Sequence, residues 1–323
     1  MIRTLKNAAF AAASTAGLLT AAGSAQASSF AIRSGQGAEG LGMAYAGAAS
    51  GGIGMAGMAW NPAVITMFPG RTSNWNVTFL KAEAEYNLTR NATANGIPIN
   101  LLPAVAGGPG TQLGTGNIGG EGAIIPASYS AFQISDRLWF GVTTGAPWGL
   151  RSKPDNQVYA GQTYGRSAKI RSINISPTIG YQVNDWISVG AALQGQYFKA
   201  RLSQATSLSP FATPAILDGD NFAFGYRLGV NLTPTKNTTI GIGYRSSIRH
   251  QLEGTFVGAS AATPVNPFRA NLNLPDSVVV GVSHQINDQW QIHGGVEWTN
   301  WSKFRRIPIV SKLNGAPITS LNF

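Results

Sequence analysis

Residues 222–232 (FAFGYRLGVNL) alternate without a fault. Phe222, Phe224, Tyr226, Leu228, Val230 and Leu232 fall on one side of an extended chain; Ala223, Gly225, Arg227, Gly229 and Asn231 fall on the other. Successive side chains of a strand point to opposite faces, so this run has one greasy face and one small or polar face. The pattern recurs. Ile187, Val189, Ala191, Leu193 and Tyr197 oppose Ser188, Gly190, Gln194 and Gln196, and Ile240, Ile242, Tyr244 and Ile248 oppose Gly241, Gly243, Arg245, Ser247 and Arg249. Trp290, Ile292, Val296 and Trp298 oppose Gln291, His293, Gly295, Glu297 and Thr299. A soluble sandwich shows the same alternation. Two features favour a membrane barrel instead. Segments 170–183 and 185–203 are longer than the five or six residues usual in globular strands. Short turns at 136–137, 184–185, 233–237 and 287–288 alternate with long connections at about 89–122, 150–164, 204–220 and 254–273, as in outer-membrane barrels.

The strands expected between these connections are 73–88, 123–135, 137–149, 165–183, 185–203, 221–233, 237–253, 274–287 and 289–306. That makes nine, whereas bacterial single-chain barrels have an even number. The chain is therefore expected to be incomplete at its C-terminus, since 307–323 lacks a span of suitable length for a tenth strand that would close a small barrel. No run approaches the roughly 18 apolar residues of a transmembrane helix, and a closed barrel is the other way to satisfy a backbone in lipid.

The first 27 residues read as a secretory signal: a basic start at Arg3 and Lys6, a short apolar run over 8–22, and a small-x-small site at Ala25, Gln26 and Ala27. Cleavage is expected between Ala27 and Ser28. The formal charge of +10 then falls by the two cations of the signal, to +8. Basic balance suggests nucleic acid in other settings. Here the cations are scattered and the chain is exported, so lipopolysaccharide, outer-membrane lipid and anionic solutes are the expected neighbours, and no nucleic-acid partner is. Only 11% of residues are charged, and the absence of Cys excludes disulfides and thiolate metal sites.

Between signal and strands lies a Gly- and Ala-rich block over 28–69 that belongs to neither. It is expected to be a plug inside the barrel. Gly35, Gly37 and Gly40 match the dinucleotide fingerprint in spacing, but no strand precedes them. Small residues suit close packing in a narrow lumen, and Pro62 pushes Asn61 out of helical conformation, which makes an elbow. The connection 89–121 holds Ile97, Pro98, Ile99, Leu101, Leu102 and Val105 among polar residues. It is either an apolar cap on the barrel mouth or a plain surface loop.

At this point the chain resembles the FadL/TodX family of outer-membrane transporters for hydrophobic compounds. The resemblance rests on Ser28-Ser29-Phe30, LGMAYAGAASGG at 41–52 and Trp60-Asn61-Pro62-Ala63. It continues through Ala146-Pro147-Trp148-Gly149-Leu150, Leu274-Pro275-Asp276-Ser277 and VEWTNWSKF at 296–304. It implies a fourteen-stranded barrel with a helical hatch at 28–72 and the barrel wall over 73–323, of which about nine strands are present. It also implies loop capture in an apolar groove, a second apolar pocket beside the hatch, and lateral exit through a gap made by a kink in the third strand. The matching positions are Asn61, Pro62 and Ala63 for a hatch gate, and Trp148 and Gly149 for the kink. The chain departs from the family in stopping some five strands short, and in an unusually apolar run over 53–60.

Arg227, Arg245 and Arg249 fall on the lumen face by alternation, where they either contact a carboxylate headgroup or pair with acids and the plug. Trp290 and Trp298 read as lipid-facing girdle residues. Of the three histidines, His250, His284 and His293, the last shares a face with Glu297, but about 13 Å away along the strand. No G-x-S-x-G nucleophile motif or metal cluster is evident, so neither catalysis nor a cofactor is expected. The expectation is a monomeric outer-membrane barrel for passive uptake of long-chain fatty acids or aromatic hydrocarbons. A general polar porin or structural barrel is the alternative, and a membrane hydrolase a remote one.

Overall fold

The computed structural model describes residues 31, 37–81, 83–87, 93–94, 97–98, 115–117, 119, 122–154, 165–205, 214–258, 266–304 and 307–321. The signal segment 1–27 and most of 89–121 lie outside them. The N-terminal block is a chain of short helical pieces: α1 (Ala38–Gly42), then 3-10 turns at Ala48–Ser50, Gly54–Ala59 and Pro62–Met67. Left-handed backbone at Gly47, Gly51 and Gly54 separates the pieces, so the segment folds back on itself instead of running as one helix.

From Arg71 onward the chain is strands. They are β1 (Arg71–Leu80), β2 (Glu85–Asn87), β3 (Thr93–Ala94), β4 (Ile97–Pro98), β5 (Thr115–Asn117), β6 (Ala123–Ser135), β7 (Leu138–Gly145), β8 (Gly149–Ser152) and β9 (Ser167–Asn184). There follow β10 (Ile187–Ala205), β11 (Pro214–Thr235), β12 (Thr238–Arg245), β13 (Ile248–Val257), β14 (Asn266–Leu274), β15 (Ser277–Gln285), β16 (Gln291–Thr299), β17 (Ile307–Ser311) and β18 (Pro317–Leu321). Two small ladders, β2 with β5 and β3 with β4, occupy the first long connection; the other fourteen strands form one antiparallel sheet.

Pairing shows that several of these are halves of single wall strands. β7 and β8 both pair with β9, and β12 and β13 both pair with β11. β14 and β15 are flanked by β13 and β12 on one side and by β17 and β16 on the other. Among the described residues the wall therefore has nine long strands in hairpin order, with the short β18 paired beside β17. The ninth runs past the expected 306, to Ser311, with a 3-10 turn at Trp301–Lys303 interrupting it. Expected connections at 204–220 and 254–273 are shorter than foreseen, because β11 starts at Pro214, β13 reaches Val257 and β14 starts at Asn266. The backbone ladder extends into stretches where apolar alternation has stopped. Among the described residues β1 pairs only with β6, and β18 only with β17.

The face pattern is that of lipid outside and hatch inside. Trp75, Phe79, Phe224 and Trp290 are 82%, 77%, 65% and 68% exposed, whereas the buried apolar cluster joins Ile53, Met58, Val64 and Ile65 of the hatch to Ala127, Tyr129, Ala131, Trp139 and Val279 of the wall. Alternation holds within each β element, but the faces exchange at breaks in three wall strands, between β7 and β8, between β12 and β13, and between β14 and β15. At Ser246 and Ser247 the seventh wall strand gains a residue: Arg245 faces Arg227 and Glu253 faces Asp220, eight steps against seven. The faces exchange there, so Ile248, His250 and Leu252 point inward and Arg249 is exposed.

Candidate functional site

Asn61 is the node of the hatch. Its backbone is extended (φ −132°, ψ 107°), as the following proline requires, and its Oδ1 accepts from Ala63 N at 2.9 Å to cap the turn that Pro62 opens. Its Nδ2 donates to Ala49 O at 2.6 Å within the hatch and to Val230 O at 3.1 Å in β11. Asn61 and Ala63 are fully buried. One side chain thus caps a turn, joins two hatch turns and moors both to the wall.

The wall receives this node through glycines. Gly180, Gly190, Gly229 and Gly243 are register partners across β9, β10, β11 and β12, forming one row. A Cβ at Gly229 would stand 1.8 Å from Asn61 Oδ1, one at Gly190 2.4 Å from Ala63 N, one at Gly243 2.2 Å from Trp60 O, and one at Gly180 2.2 Å from an Ile65 methyl. A second pair, Gly241 and Gly281, lies under Ala49. Any side chain in this row would drive the hatch off the wall.

Directly above that row stand two guanidiniums. Arg227 is fully buried; its Nη1 donates to Ala59 O at 2.6 Å and Met58 O at 3.3 Å, and its Nη2 to Thr143 Oγ1 at 2.9 Å. Arg245 Nη2 donates to Ala59 O at 3.2 Å. Both cations are held by carbonyls at the end of the Gly54–Ala59 turn, where the carbonyls of a helical segment lack intrahelical donors. Hydrogen bonds to a charged group contribute roughly 1.5–3 kcal/mol each. Arg249 takes no part: it lies on the other face, with Nε donating to Asn273 Oδ1 at 3.3 Å. Ala59, Tyr129, Thr143, Thr144, Gly145, Pro147, Asn174, Arg227 and Arg245 surround a small pocket, into which Arg227 Nε and Asn174 Oδ1 bring buried polar atoms without a hydrogen-bond partner.

The pocket borders a lapse in the wall. The ladder between β6 and β7 ends at Ser128 and Thr144, although β6 continues to Ala123 against β1. Across β7 and β8, Gly145 faces Asn174 and Gly149 faces Arg171, four steps against three. Ala146, Pro147 and Trp148 take up the surplus. The Ser172 hydroxyl serves the bulge, accepting from Trp148 N at 2.9 Å and donating to Trp148 O at 2.8 Å. Pro126 in β6 and Pro147 in the bulge have no N–H with which to bridge the lapse. The Trp148 ring is buried and meets Trp301 edge-on at 6.1 Å, which meets Phe304 at 6.2 Å.

A third mooring lies at the far end of the sheet. The Ser50 hydroxyl donates to Gly47 O at 2.9 Å, so the Ser283 hydroxyl donates to Ser50 at 2.7 Å and accepts from His293 Nδ1 at 2.9 Å. This hydroxyl and imidazole were not expected to meet. Hatch glycines cover them so closely that a Cβ at Gly52 would stand 2.4 Å from His293 Nδ1 and 2.6 Å from Ser283 Oγ, and the chain of bonds ties the hatch to the wall.

Residues 18–322 match the family described as "Outer membrane protein transport protein (OMPP1/FadL/TodX)". The chain belongs to this family. It is 23% identical over 304 residues to the long-chain fatty acid transport protein of Salmonella typhi, covering 83% of this chain and 65% of that protein. Among solved structures, a Pseudomonas aeruginosa FadL homologue superposes with a TM-score of 0.68 at 20% identity, over 92% of this chain and 74% of that one. The Ralstonia pickettii toluene transporter TbuX does so with 0.61 at 18%, over 85% and 76%. The chain spans about two thirds of the length of the curated relatives it matches. As a member of the OMPP1/FadL/TodX family it is a bacterial outer-membrane protein with an antiparallel barrel fold and a small helical segment at its N-terminus.

Of the sequence-derived residues, the structure gathers Asn61, Pro62 and Ala63 against Gly190 and Gly229, brings Arg227 and Arg245 to the carbonyls above them, and sets Trp148 and Gly149 at the edge of the lapse. The glycine row was missed as a unit. Its signal was available in the inward glycines four residues before and after the turn at 184–186, and at matching heights in the next hairpin. Only cross-strand register turns them into one surface.

Proposed function

We propose that this protein admits hydrophobic molecules passively across the outer membrane and releases them sideways through the lapse between β6 and the third wall strand. The observation that carries the reading is the juxtaposition of that lapse with the pocket at the end of the seated hatch. In this scheme the connections facing the cell exterior capture the solute; residues 89–121 are one of them. The solute then reaches the pocket beside Ala59, and Trp148 and Gly149 form the threshold to the lipid. Asn61, Pro62 and Ala63 act as the gate, being the point at which one side chain fixes hatch turn and wall together. Arg227 and Arg245 receive a carboxylate headgroup where the cargo has one. Burial of an apolar solute contributes roughly 25 cal/mol per Å², which lowers the barrier of a polar outer leaflet. Hatch turns pressed against β9, β10, β11, β12 and β15 speak against an open aqueous pore.

The relatives' names fit the two kinds of cargo, one a long-chain fatty acid transport protein and one a toluene transporter. The reading includes removal of 1–27, a hatch over 28–72, a wall from 73, a monomer in the membrane, lipopolysaccharide as neighbour, and transport without catalysis. The test is growth and uptake of a deletion strain on long-chain fatty acids, aromatic hydrocarbons and small polar carbon sources, with the gene restored as control. Loss confined to the polar sources would overturn it.

A further inference from the structure

We propose that the outer ends of β8, β9 and β10 bind the phosphate groups of the outer-leaflet glycolipid, through a patch made of Arg151, Lys169, Arg171, Lys199 and Arg201. The proposal rests on the outer-membrane placement and deepens the lipopolysaccharide contact named above.

Cross-strand register builds the patch. Arg151 pairs with Lys169 and Lys169 with Arg201 in one row; Arg171 pairs with Lys199 in the row below. Directly paired residues share a face. On β9 that face is outward, because Ile173, Ile175, Ile179, Tyr181 and Val183 of the same parity are all exposed, and Ser172, Asn174, Ser176 and Thr178 of the other are buried. On β10 the cations likewise share the parity of exposed Val189 and Leu193. Like charges directly opposite one another destabilise a sheet, and here three such pairs adjoin. The charged groups that act on Lys169 are all cations: Arg171, Arg151, Arg201 and Lys199. On the neighbouring strand Asp218 stands opposite Arg201 and Asp220 opposite Lys199. Asp218 lies 3.2 Å from Lys199 and 3.9 Å from Arg201, so two carboxylates offset part of the charge of five cations. Across β11, β13 and β14, by contrast, the same two rows continue with Asp218, Asp220, Glu253 and Arg269, a mixed set. Among the described residues the excess of positive charge is confined to three strands.

Height fixes the kind of partner. The row beneath the cations is Ile173, Tyr197 and Phe222, apolar and aromatic. From Ile173 to Val183 is about 33 Å along the strand, or roughly 25 Å of membrane height at the usual tilt, the thickness of an outer-membrane apolar band. The short turn at 185–186 lies at the other end, which is the periplasmic side in such barrels. Arg171 and Lys199 therefore stand one step above the hydrocarbon, in the outer leaflet's headgroup layer, where phosphate is the anion to be met. Arginine and lysine in two adjacent rows match that chemistry, with forked donors for phosphate oxygens and ammonium point charges beside them.

The experiment uses the full chain, purified in detergent, with binding of diphosphoryl lipid A, its dephosphorylated form and phosphatidylglycerol measured by native mass spectrometry. The folded state is checked by heat-modifiable mobility. Wild type is expected to prefer diphosphoryl lipid A over both other lipids. Lys169→Gln should weaken that binding about fivefold, and the combination of Lys169→Gln, Arg171→Gln, Lys199→Gln and Arg201→Gln on the order of a thousandfold, each cation near an anionic surface contributing about 1 kcal/mol. Arg269→Gln with Lys312→Gln is the control on the mixed side and should change nothing. Equal binding of the three lipids, equal loss in the control, or full displacement by millimolar inorganic phosphate would each overturn the proposal. If the fourfold variant does not fold, the single substitution decides. Uptake of hydrophobic cargo by Lys169→Gln is measured in parallel, so that a failure of lipid binding and a failure of transport are read separately.

Discussion

Along β9, β10, β11 and β12 the wall comes so close to the hatch that only glycine fits between them, whereas the third wall strand, close to the hatch at Trp139 and Gly141, loses its ladder to β6 beyond Ser128 and Thr144. Both regions face the same hatch turns, and both depart from a regular barrel strand by one small feature, a missing Cβ in the first and a surplus residue in the second. The difference separates two tasks. A hatch seated on backbone has nowhere to move without breaking many contacts at once, which supports the proposed path through the wall over one that ejects the plug.

The largest effect should come from filling the seat. Gly229→Val puts side-chain atoms where Asn61 Oδ1 and Pro62 Cδ now stand, and overpacking of this kind typically costs about 1–3 kcal/mol even where neighbours yield. The expected outcome is a displaced hatch, seen as ion conductance in planar bilayers above that of wild type, or failure to reach the heat-modifiable form. Normal assembly with unchanged conductance would break the distinction between seat and lapse. Asn61→Ala should come next. It removes a cap worth about 1 kcal/mol and leaves the carbonyls of Ala49 and Val230 without their donor at roughly 1–3 kcal/mol more; proteolysis of the hatch in intact outer membranes should accelerate accordingly.

Closing the lapse tests the other side. Deleting Ala146 returns the third strand to one-to-one register with β9, and uptake of hydrophobic cargo is expected to fall by an order of magnitude, about 1.4 kcal/mol in a barrier, with assembly intact. Uptake at the wild-type rate would show that the surplus residue is incidental. The smallest effect belongs to Arg245→Gln. The Ala59 carbonyl keeps Arg227, so folding should persist, while uptake of a long-chain carboxylate falls a few-fold relative to a neutral aromatic hydrocarbon, as loss of one charge-assisted hydrogen bond predicts. An equal fall for both cargoes would remove the headgroup role.

Much of the wall was legible beforehand because lipid imposes a period of two on spanning segments: the nine wall strands follow the expected order, although the first ends at Leu80 instead of 88, the sixth starts at Pro214 and the eighth at Asn266. Asn61 was legible as an elbow, since a residue before proline cannot stay helical. Arg249 was not correctly placed. Ser246 and Ser247 carry no glycine or proline to announce a break, yet Tyr226 and Ser246 exchange backbone and hydroxyl bonds there, with Tyr226 N donating to Ser246 Oγ at 2.9 Å, and the faces exchange beyond. The ninth strand was cut short at 306 for a related reason: it resumes as β17 after the turn at Trp301–Lys303, a turn tied to the eighth strand by Asn300 N donating to Asp276 O at 2.9 Å and by the Lys303 and Asp276 ion pair at 2.8 Å. The meeting of Ser283 with His293 also depended on pairing between β15 and β16.

What the sequence determined by itself was local: the order of the strands, which face of most of them meets lipid, and that a Gly- and Ala-rich block with an Asn-Pro elbow belongs to neither the signal nor the strands. What the tertiary structure decided was register. Gly180, Gly190, Gly229 and Gly243 become a seat, Arg151, Lys169 and Arg201 a row of like charge, and Ala146, Pro147 and Trp148 a lapse beside a pocket only when particular residues stand opposite one another. A one-residue slip keeps each strand's own pattern yet moves every partner, and that choice is made by the hatch packing inside and the hydrogen-bonded ladder across the wall.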